Sequence, residues 1–235
     1  MTAGSSFPNI FGRLFGGKAD KQASSDGNSD SGGDMASNDK ASLRTQLGLQ
    51  TDFRTVLVVG GGDGMGGIVE TARQLGDKLG TESSRVNQAF QMVVVCGKNE
   101  QAQSTLSNIE WSGDVNVCVK GFVDNMDEWM RASDVIVTKA GPGTIAEASI
   151  CGLPCMLSSY LPGQEEGNVP YVKDNGFGSY SGNPQVIAET VCSWLESDEM
   201  MESMRAAALE ASRPSATLDI ARDIANMLFE SKRSV

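Results

Sequence analysis

The 235-residue chain contains no histidine, and this absence limits the chemistry that it can perform alone. Histidine is the commonest general base in enzymes, because its ordinary pKa lies near neutrality. A proton-transfer step here would need a carboxylate as its base, or a base from another polypeptide. The sequence also lacks an Asp-x-Asp motif, so it has no obvious ligands for a metal ion that bridges a diphosphate.

Paired cysteine motifs and long apolar runs are absent as well. None of the five cysteines belongs to a Cys-x-x-Cys motif, and no histidine completes a zinc set with Cys151 and Cys155. Reduced thiols in a non-oxidising, cytoplasm-like compartment are therefore expected. The apolar runs are far shorter than a membrane-spanning helix, and no secretory signal with an apolar core is visible.

Positive charge is scarce, and the net charge is −11. Acidic and basic residues balance within residues 1–50, so the negative surplus belongs to residues 51–235. An acidic globular part argues against a nucleic-acid partner, which would need a basic face. It also argues against a broad electrostatic contact with anionic lipid, although a local basic patch stays open.

Residues 1–44 are predicted to form a disordered, low-complexity N-terminal segment, because residues 19–41 are rich in Ser, Gly, Asp and Asn. Within it, the apolar residues of 7–15 have the spacing of one helical stripe. They are Phe7, Ile10, Phe11, Leu14 and Phe15. A membrane-surface helix, a docking segment, part of a transit peptide and an unstructured terminus all stay open, since neighbouring glycines weaken so short a helix.

Residues 45–235 alternate between strand and helix patterns and are predicted to form one domain. Strands are expected at 55–59, 91–96, 115–120, 135–138 and 155–158, with a short extended piece near Ser179. Helices are expected at 68–79, 100–109, 126–132, 145–151, 169–175, 184–195, 199–211 and 216–229. Continuous apolar strands joined through helices predict an α/β fold with a doubly wound, Rossmann-like parallel sheet.

A glycine-rich loop at residues 60–67 follows the first strand and contains a literal G-x-G-x-x-G match. In a dinucleotide site, an acidic residue would follow the second strand and hold the ribose. Residues 96–99 read Cys-Gly-Lys-Asn, so this interpretation is disfavoured. A tight turn and a loop facing a ligand cleft remain, and the surplus of glycines favours the cleft.

The turn after the fourth strand carries Gly141, Pro142, Gly143 and Thr144. Glycines let backbone N–H groups approach an oxyanion, and a helix N-terminus adds favourable partial charge, so this turn is a candidate diphosphate cradle. Glu147 is a candidate ligand. Its spacing from Thr144 also fits a capping box, and the sequence favours neither interpretation over the other. Lys139 could pair with a phosphate or simply be exposed.

Two further loops are candidates. Phe122 and Val123 follow the third strand and could read a planar base, although a simple turn with Phe122 in the core is favoured from these residues alone. Gln164, Glu165 and Asn168 follow the fifth strand, where carboxylate and amide groups could accept sugar hydroxyls. The alternative is a solvated acidic helix start, favoured by the helix dipole.

Three stretches resemble a known family. VLVVGGGDGMGGI, then KGFVDNMDEWMRASDVIVTKAGPGTIAEASICGLPCMLSSYLPGQEEGNVPYV, and then NGFG are similar to the C-terminal half of monogalactosyldiacylglycerol synthases. The wider group includes the bacterial transferase that adds N-acetylglucosamine to lipid I. These are inverting, metal-independent GT-B glycosyltransferases of the family 28 type. The resemblance covers roughly residues 45–230.

The resemblance implies a UDP-galactose donor, a diacylglycerol acceptor and no metal or other cofactor. It assigns the uracil to Phe122 and Val123. It assigns the diphosphate to the turn at 141–144, the ribose to Glu147, and the sugar to Gln164, Glu165 and Asn168. Gly62, Asp63 and Gly64 would line the cleft between two domains.

The resemblance also implies what this sequence does not contain. The family's N-terminal half binds the acceptor and the membrane, and it supplies a histidine as the candidate base. No catalytic residue is therefore expected in this chain. A plastid envelope location with peripheral membrane contact is implied too. Two alternatives stay open: a donor-binding subunit of a split UDP-N-acetylglucosamine transferase, and a non-catalytic UDP-sugar-binding module.

Overall fold

A computed structural model of the chain describes residues 32–60, 67–86 and 88–233. The strands in these ranges are β1 (Arg54–Val59), β2 (Phe90–Val95), β3 (Val115–Lys120), β4 (Val135–Lys139), β5 (Cys155–Ser159) and β6 (Gly178–Tyr180). The helices are α1 (Gly32–Leu47), α2 (Ile68–Val86), α3 (Glu100–Ser107), α4 (Met126–Ala132), α5 (Pro142–Ile150), α6 (Asn168–Asp174), α7 (Pro184–Leu195), α8 (Asp198–Ala211) and α9 (Ala216–Arg233). The apolar stretch 7–15 and the cleft residues 62–64 lie outside the described residues.

The six strands form one parallel sheet in the order β3-β2-β1-β4-β5-β6. On one side of β1 the chain adds β2 and then β3, and on the other side of the sheet β4 is followed by β5 and then β6. The connections therefore diverge between β1 and β4 and leave a crevice at the carboxyl ends of these strands. The predicted doubly wound fold is confirmed, and the extended piece near Ser179 is its sixth strand.

Apolar side chains cover both faces of the sheet. Every residue of β2 is buried, as expected for a central strand between two layers. One face packs against α2 and α7 through a cluster that includes Val56, Val58, Met92, Val94, Leu75 and Val191. The other packs against α4 and α5 through a cluster that includes Leu57, Val93, Ile136, Met130 and Ile145. Alternation along β1 and β2 thus fixes which face each helix covers.

Several predicted boundaries agree with the structure, namely those of β3, α4 and α7. Helix α2 continues beyond the predicted end at residue 79 and reaches Val86. The glycines in its second half allow close packing, because a Cβ on Gly80 would lie 2.0 Å from the carbonyl oxygen of Ser112. Glycine there serves the approach of a neighbouring segment, and the helix does not break.

The prediction of disorder is wrong for the last part of residues 1–44. Helix α1 spans this part, and Leu43 and Arg44 are both buried. The Arg44 guanidinium donates to the carbonyl of Ala132 at 2.9 Å and to the Asp134 carboxylate at 2.7 Å. The expected boundary between residues 44 and 45 therefore cuts through a helix that belongs to the folded domain.

The five cysteines are free thiols. Burial raises the pKa of Cys155 and of Cys192 to about 12, so both stay protonated at neutral pH. Among the described helices, none is long and apolar enough to cross a membrane.

Candidate functional site

The crevice at the carboxyl ends of β1, β4 and β5 is the centre of the candidate site. The crevice is lined by the ends of strands and by the starts of α2 and α7. The lining residues include Gly60, Gly67, Lys139, Ser158, Ser159 and Pro184. The predicted cleft residues Gly62, Asp63 and Gly64 fall between Gly60 and Gly67 in the sequence and lie outside the described residues. Ligands of open α/β sheets bind at this kind of divergence between strands.

At the turn between β4 and α5, no side chain of the described residues caps the helix N-terminus. Gly141 is the N-cap residue and makes no side-chain capping bond, and Pro142 occupies the first turn. The first intrahelical bond runs from the N–H of Ile145 to the carbonyl of Gly141 at 3.1 Å. The N–H groups of Gly143 and Thr144 therefore precede the helix ladder, as the first groups of any helix do. Such groups favour an anion.

Gly143 is exposed, and neither packing nor backbone conformation requires a glycine there. A Cβ at this position would meet no atom of the described residues within 4 Å, and the residue lies in regular helix. A glycine in a helix costs conformational entropy relative to alanine. The open space over Gly143 therefore suits the close approach of a molecule from outside the chain.

Glu147 does not act in a capping box. Helix α5 begins at Pro142, so Thr144 lies inside the helix and cannot be its N-cap. That alternative is wrong, because Pro142 extends the helix three residues before the predicted start at 145. Burial, and then repulsion from Asp127 on α4, raise the pKa of the Glu147 carboxyl. Its carboxylate is thus half-buried beside the cradle and not used to cap the helix.

A second cavity lies beside the crevice, at the ends of β1, β2 and β3. It is largely apolar and is lined by Val59, Gly60, Val95, Gly97, Lys98, Phe122, Val123 and Met126. The Phe122 side chain is 62% exposed, so the favoured prediction that it lies in the core is wrong. The cavity has the apolar character that a planar base needs, and it shares Gly60 with the crevice.

The loop after β5 lies against the turn after β4. Glu165 is buried, and its carboxylate forms an ion pair with Lys139 and accepts the N–H of Leu161 at 2.9 Å. Asn168 donates its side-chain amide to the carbonyl of Ala140 at 2.8 Å. Burial rules out the solvated interpretation for Glu165, whereas Glu166 and Gln164 are exposed. Glu165 and Asn168, two of the three predicted sugar residues, thus bond the loop after β5 to the turn after β4.

The structure also brings in residues that sequence reasoning missed. Ser158 and Ser159 end β5 on the crevice side, next to Lys139, which is already a candidate from the sequence. The parallel order of β4 and β5 was the available signal, since neighbouring parallel strands end at the same edge of a sheet. In the described part of the chain, no cluster of three or more Cys, Asp or Glu side chains could hold a metal ion.

The order of the parallel strands and the helices on both faces of the sheet define a Rossmann-type α/β domain with a GT-B-like fold. The chain belongs to the glycosyltransferase family 28 C-terminal domain family, whose profile matches residues 55–215.

Two of the chain's relatives are monogalactosyldiacylglycerol synthases of plants. The chain is 45% identical over 195 residues to monogalactosyldiacylglycerol synthase 3, chloroplastic, of Arabidopsis thaliana, covering 83% of this chain and 41% of the relative. It is 46% identical over 187 residues to monogalactosyldiacylglycerol synthase, chloroplastic, of Spinacia oleracea, covering 79% and 35%. The chain therefore spans well under half the length of these relatives.

Solved structures share the fold at low sequence identity. MurG of Acinetobacter baumannii superposes with a TM-score of 0.60 and 19% identity, covering 80% of this chain and 53% of that one. The complex of S. aureus MnaA with UDP superposes with a TM-score of 0.59 and 14% identity, covering 79% and 48%. At these identities the likeness concerns the fold alone.

Proposed function

We propose that this chain is the donor-binding domain of an inverting, metal-independent transferase that moves galactose from UDP-galactose to diacylglycerol. The observation that carries the proposal is the uncapped N-terminus of α5, with Gly143 open to the outside and Glu147 half-buried behind it. The identity to monogalactosyldiacylglycerol synthases supports the choice of sugar and acceptor.

Each part of UDP-galactose has a matching surface in the proposal. The uracil enters the apolar cavity beside Phe122 and meets the backbone of Val123. The diphosphate lies on the turn from Gly141 to Thr144, where N–H groups neutralise it without a metal. Glu147 accepts the ribose hydroxyls. The galactose hydroxyls face Gln164, Glu165 and Asn168, and Gly62, Asp63 and Gly64 close the cleft.

The proposed reaction is a single displacement at the anomeric carbon. The acceptor hydroxyl oxygen forms a bond to this carbon while the bond to the diphosphate oxygen breaks, which inverts the configuration. Charge that develops on departing UDP is stabilised by the N-terminus of α5, whose donors are fixed before the reaction. The acceptor proton passes to a base from the acceptor-binding half, since this chain has no histidine.

We also propose a peripheral location at the plastid envelope. The relatives' names describe them as chloroplastic, and diacylglycerol is a membrane lipid. Imaging of a C-terminal fluorescent fusion in plant or algal cells would test this. Uniform cytosolic fluorescence would contradict it.

Calorimetry on the full chain tests the donor. UDP and UDP-galactose should both bind, and UDP-galactose should outcompete UDP-N-acetylglucosamine. Preference for UDP-N-acetylglucosamine would instead favour the split-transferase alternative. Absence of binding to all three ligands would contradict the proposed function in every form.

A further inference from the structure

We propose that Lys139 is a positioning residue, which holds the Glu165 carboxylate in the orientation in which it receives a hydroxyl of the donor sugar. This inference rests on the proposed donor site and assigns a role that the sequence left open, between a phosphate partner and an exposed side chain. Lys139 acts through Glu165 and does not itself bind the donor.

The contacts of Glu165 leave part of its carboxylate available. One oxygen pairs with the Lys139 ammonium, and the other accepts the Leu161 N–H at 2.9 Å. An ionised carboxylate has about four lone-pair sites on its two oxygens, so two contacts do not saturate it. Lys139 and Leu161 therefore fix the orientation of the group while it can still accept a hydroxyl.

The two glycines of the turn have different surroundings. A Cβ on Gly141 would lie 3.3 Å from the Lys139 Nζ and 3.7 Å from the Glu165 Oε1. A Cβ on Gly143 would meet nothing within 4 Å in the part of the chain that the structure describes. Gly141 thus leaves room for the ion pair, and Gly143 leaves room for a ligand. The ion pair is built into the turn, at the end of the cradle nearest the sugar loop.

Charge and burial argue that the pair persists when a diphosphate binds. The Glu165 side chain is only 9% exposed, so a lysine that swung to a phosphate would leave a buried carboxylate without its ion pair. Leaving a buried carboxylate without its partner is unfavourable, and the Lys139 side chain, which is 38% exposed, stays within reach of it. Burial raises the pKa of Glu165, but Lys139 and the Leu161 amide outweigh it and hold that pKa below its usual range.

The experiment compares UDP-galactose with UDP on the full chain and on Lys139→Met, Glu165→Gln and the double variant. The readout is the ratio of the two affinities, which isolates the sugar and cancels changes at the diphosphate. We expect this ratio to fall about tenfold in each single variant, the loss of one charge-assisted hydrogen bond. The double variant should lose no more than Glu165→Gln alone, because Lys139 acts through Glu165.

Matched controls lie close by. Lys173→Met removes an exposed lysine from the last turn of α6, and Glu166→Gln neutralises the exposed neighbour of Glu165. Neither variant should change the ratio. A separate NMR titration of the Glu165 carboxyl, without ligand, should show a higher pKa in Lys139→Met than in the unmodified chain, since only the Leu161 amide then opposes the effect of burial.

The outcomes separate this inference from the proposed function. Equal losses of UDP and UDP-galactose affinity in Lys139→Met would make Lys139 a phosphate ligand and overturn the positioning role. Additive losses in the double variant, or an unchanged pKa of Glu165 in Lys139→Met, would also overturn it. An unmodified chain that binds neither ligand would contradict the proposed function itself, and the role of the pair with it.

Discussion

Glu147 stands half-buried on α5 near the Asp127 carboxylate, and both features oppose its ionisation. The charged form is nevertheless the one that accepts two ribose hydroxyls in the proposed site. This is the conflict expected at a functional residue, where a local arrangement that costs stability serves binding. The conflict can be measured, because removal of the Glu147 charge should weaken UDP binding and raise the free energy of unfolding.

The substitution Glu147→Gln should weaken UDP binding about tenfold, since the charge-assisted acceptor becomes a neutral one. The same change should raise the free energy of unfolding at pH 7, because a raised carboxyl pKa means that the folded state disfavours the ionised form. This gain should disappear in acid, where Glu147 is protonated in both states. Calorimetry and thermal melts at pH 7 and pH 4 measure both effects.

The exposed Glu210 on α8 provides the matched control, and Glu210→Gln should change neither quantity. The pH dependence of UDP affinity adds an independent check. Affinity should begin to fall at a higher pH than the usual titration range of a glutamate, since protonation starts earlier at a raised pKa. Unchanged UDP affinity in Glu147→Gln would remove this residue from the site.

At the scale of elements, helix α1 is fixed to the sheet by charge as well as by apolar contact. Asp134, just before β4, accepts bonds from Lys40 at 2.5 Å, from Arg44 at 2.7 Å and from the Thr55 N–H at 2.8 Å. Burial raises the pKa of Asp134, but the two cations and the Thr55 amide outweigh it and lower that pKa overall. The network therefore links α1, β1 and β4.

Asp134→Asn should have opposite effects in two chains of different length. In the full chain it leaves Lys40 and Arg44 partly or fully buried without their anion, which should lower the free energy of unfolding by about 3–5 kcal/mol. A chain that begins at residue 45 lacks Lys40 and Arg44, so the Asp134 carboxylate has lost its two cationic partners. There the same substitution should be stabilising, because asparagine keeps an acceptor for Thr55 and removes the charge.

Urea denaturation of the four proteins measures this sign change. The paired Asp134 stabilises the full chain above the usual aspartate pKa, and this contribution is lost as the pH falls through the lowered pKa of the folded state. The chain from residue 45 should lack that loss in acid. Equal effects of Asp134→Asn in both chains would show that α1 does not pair with Asp134 in solution.

At the scale of the whole molecule, the sheet could be predicted because its strands are continuous apolar runs joined through helices. The bounds of β3 and α7 match for this reason. Helix α1 could not be predicted, because its Ser, Gly and Asp residues favour disorder and its helix depends on the tertiary contacts of Leu43 and Arg44. Local composition is informative only where tertiary contacts do not override it.

Some features of the candidate site could likewise be predicted from the sequence, and others could not. The strand-to-helix turn at 141–144 could be predicted, because glycine and proline at such a turn have a local physical meaning. The exposure of Phe122 and the pairing of Lys139 with Glu165 could not, because they depend on how loops at three strand ends meet. Which residues lie at this edge follows from topology, but which of them touch does not.

The incomplete coverage of the relatives leads to a prediction for the whole protein. If this chain has the proposed role of a donor-binding domain, it cannot by itself hold an acceptor in position for attack, and positioning contributes a large part of the rate of such a transfer. The full chain should therefore transfer little galactose to diacylglycerol by itself. Addition of the acceptor-binding half of the Spinacia oleracea relative should give β-galactosyldiacylglycerol, detectable by mass spectrometry and by the anomeric proton signal.

This reconstituted transfer should be unaffected by a chelator. It should be lost when the histidine that the family resemblance implies as the base in the added half is replaced by alanine. Lost transfer with retained UDP-galactose binding would place the base in the partner and the donor site in this chain. Transfer by this chain alone would contradict the proposal that the partner half supplies the base, because a carboxylate of this chain would then have to act as base. Binding without transfer, even with the intact partner half, would leave a non-catalytic UDP-sugar module as the remaining function.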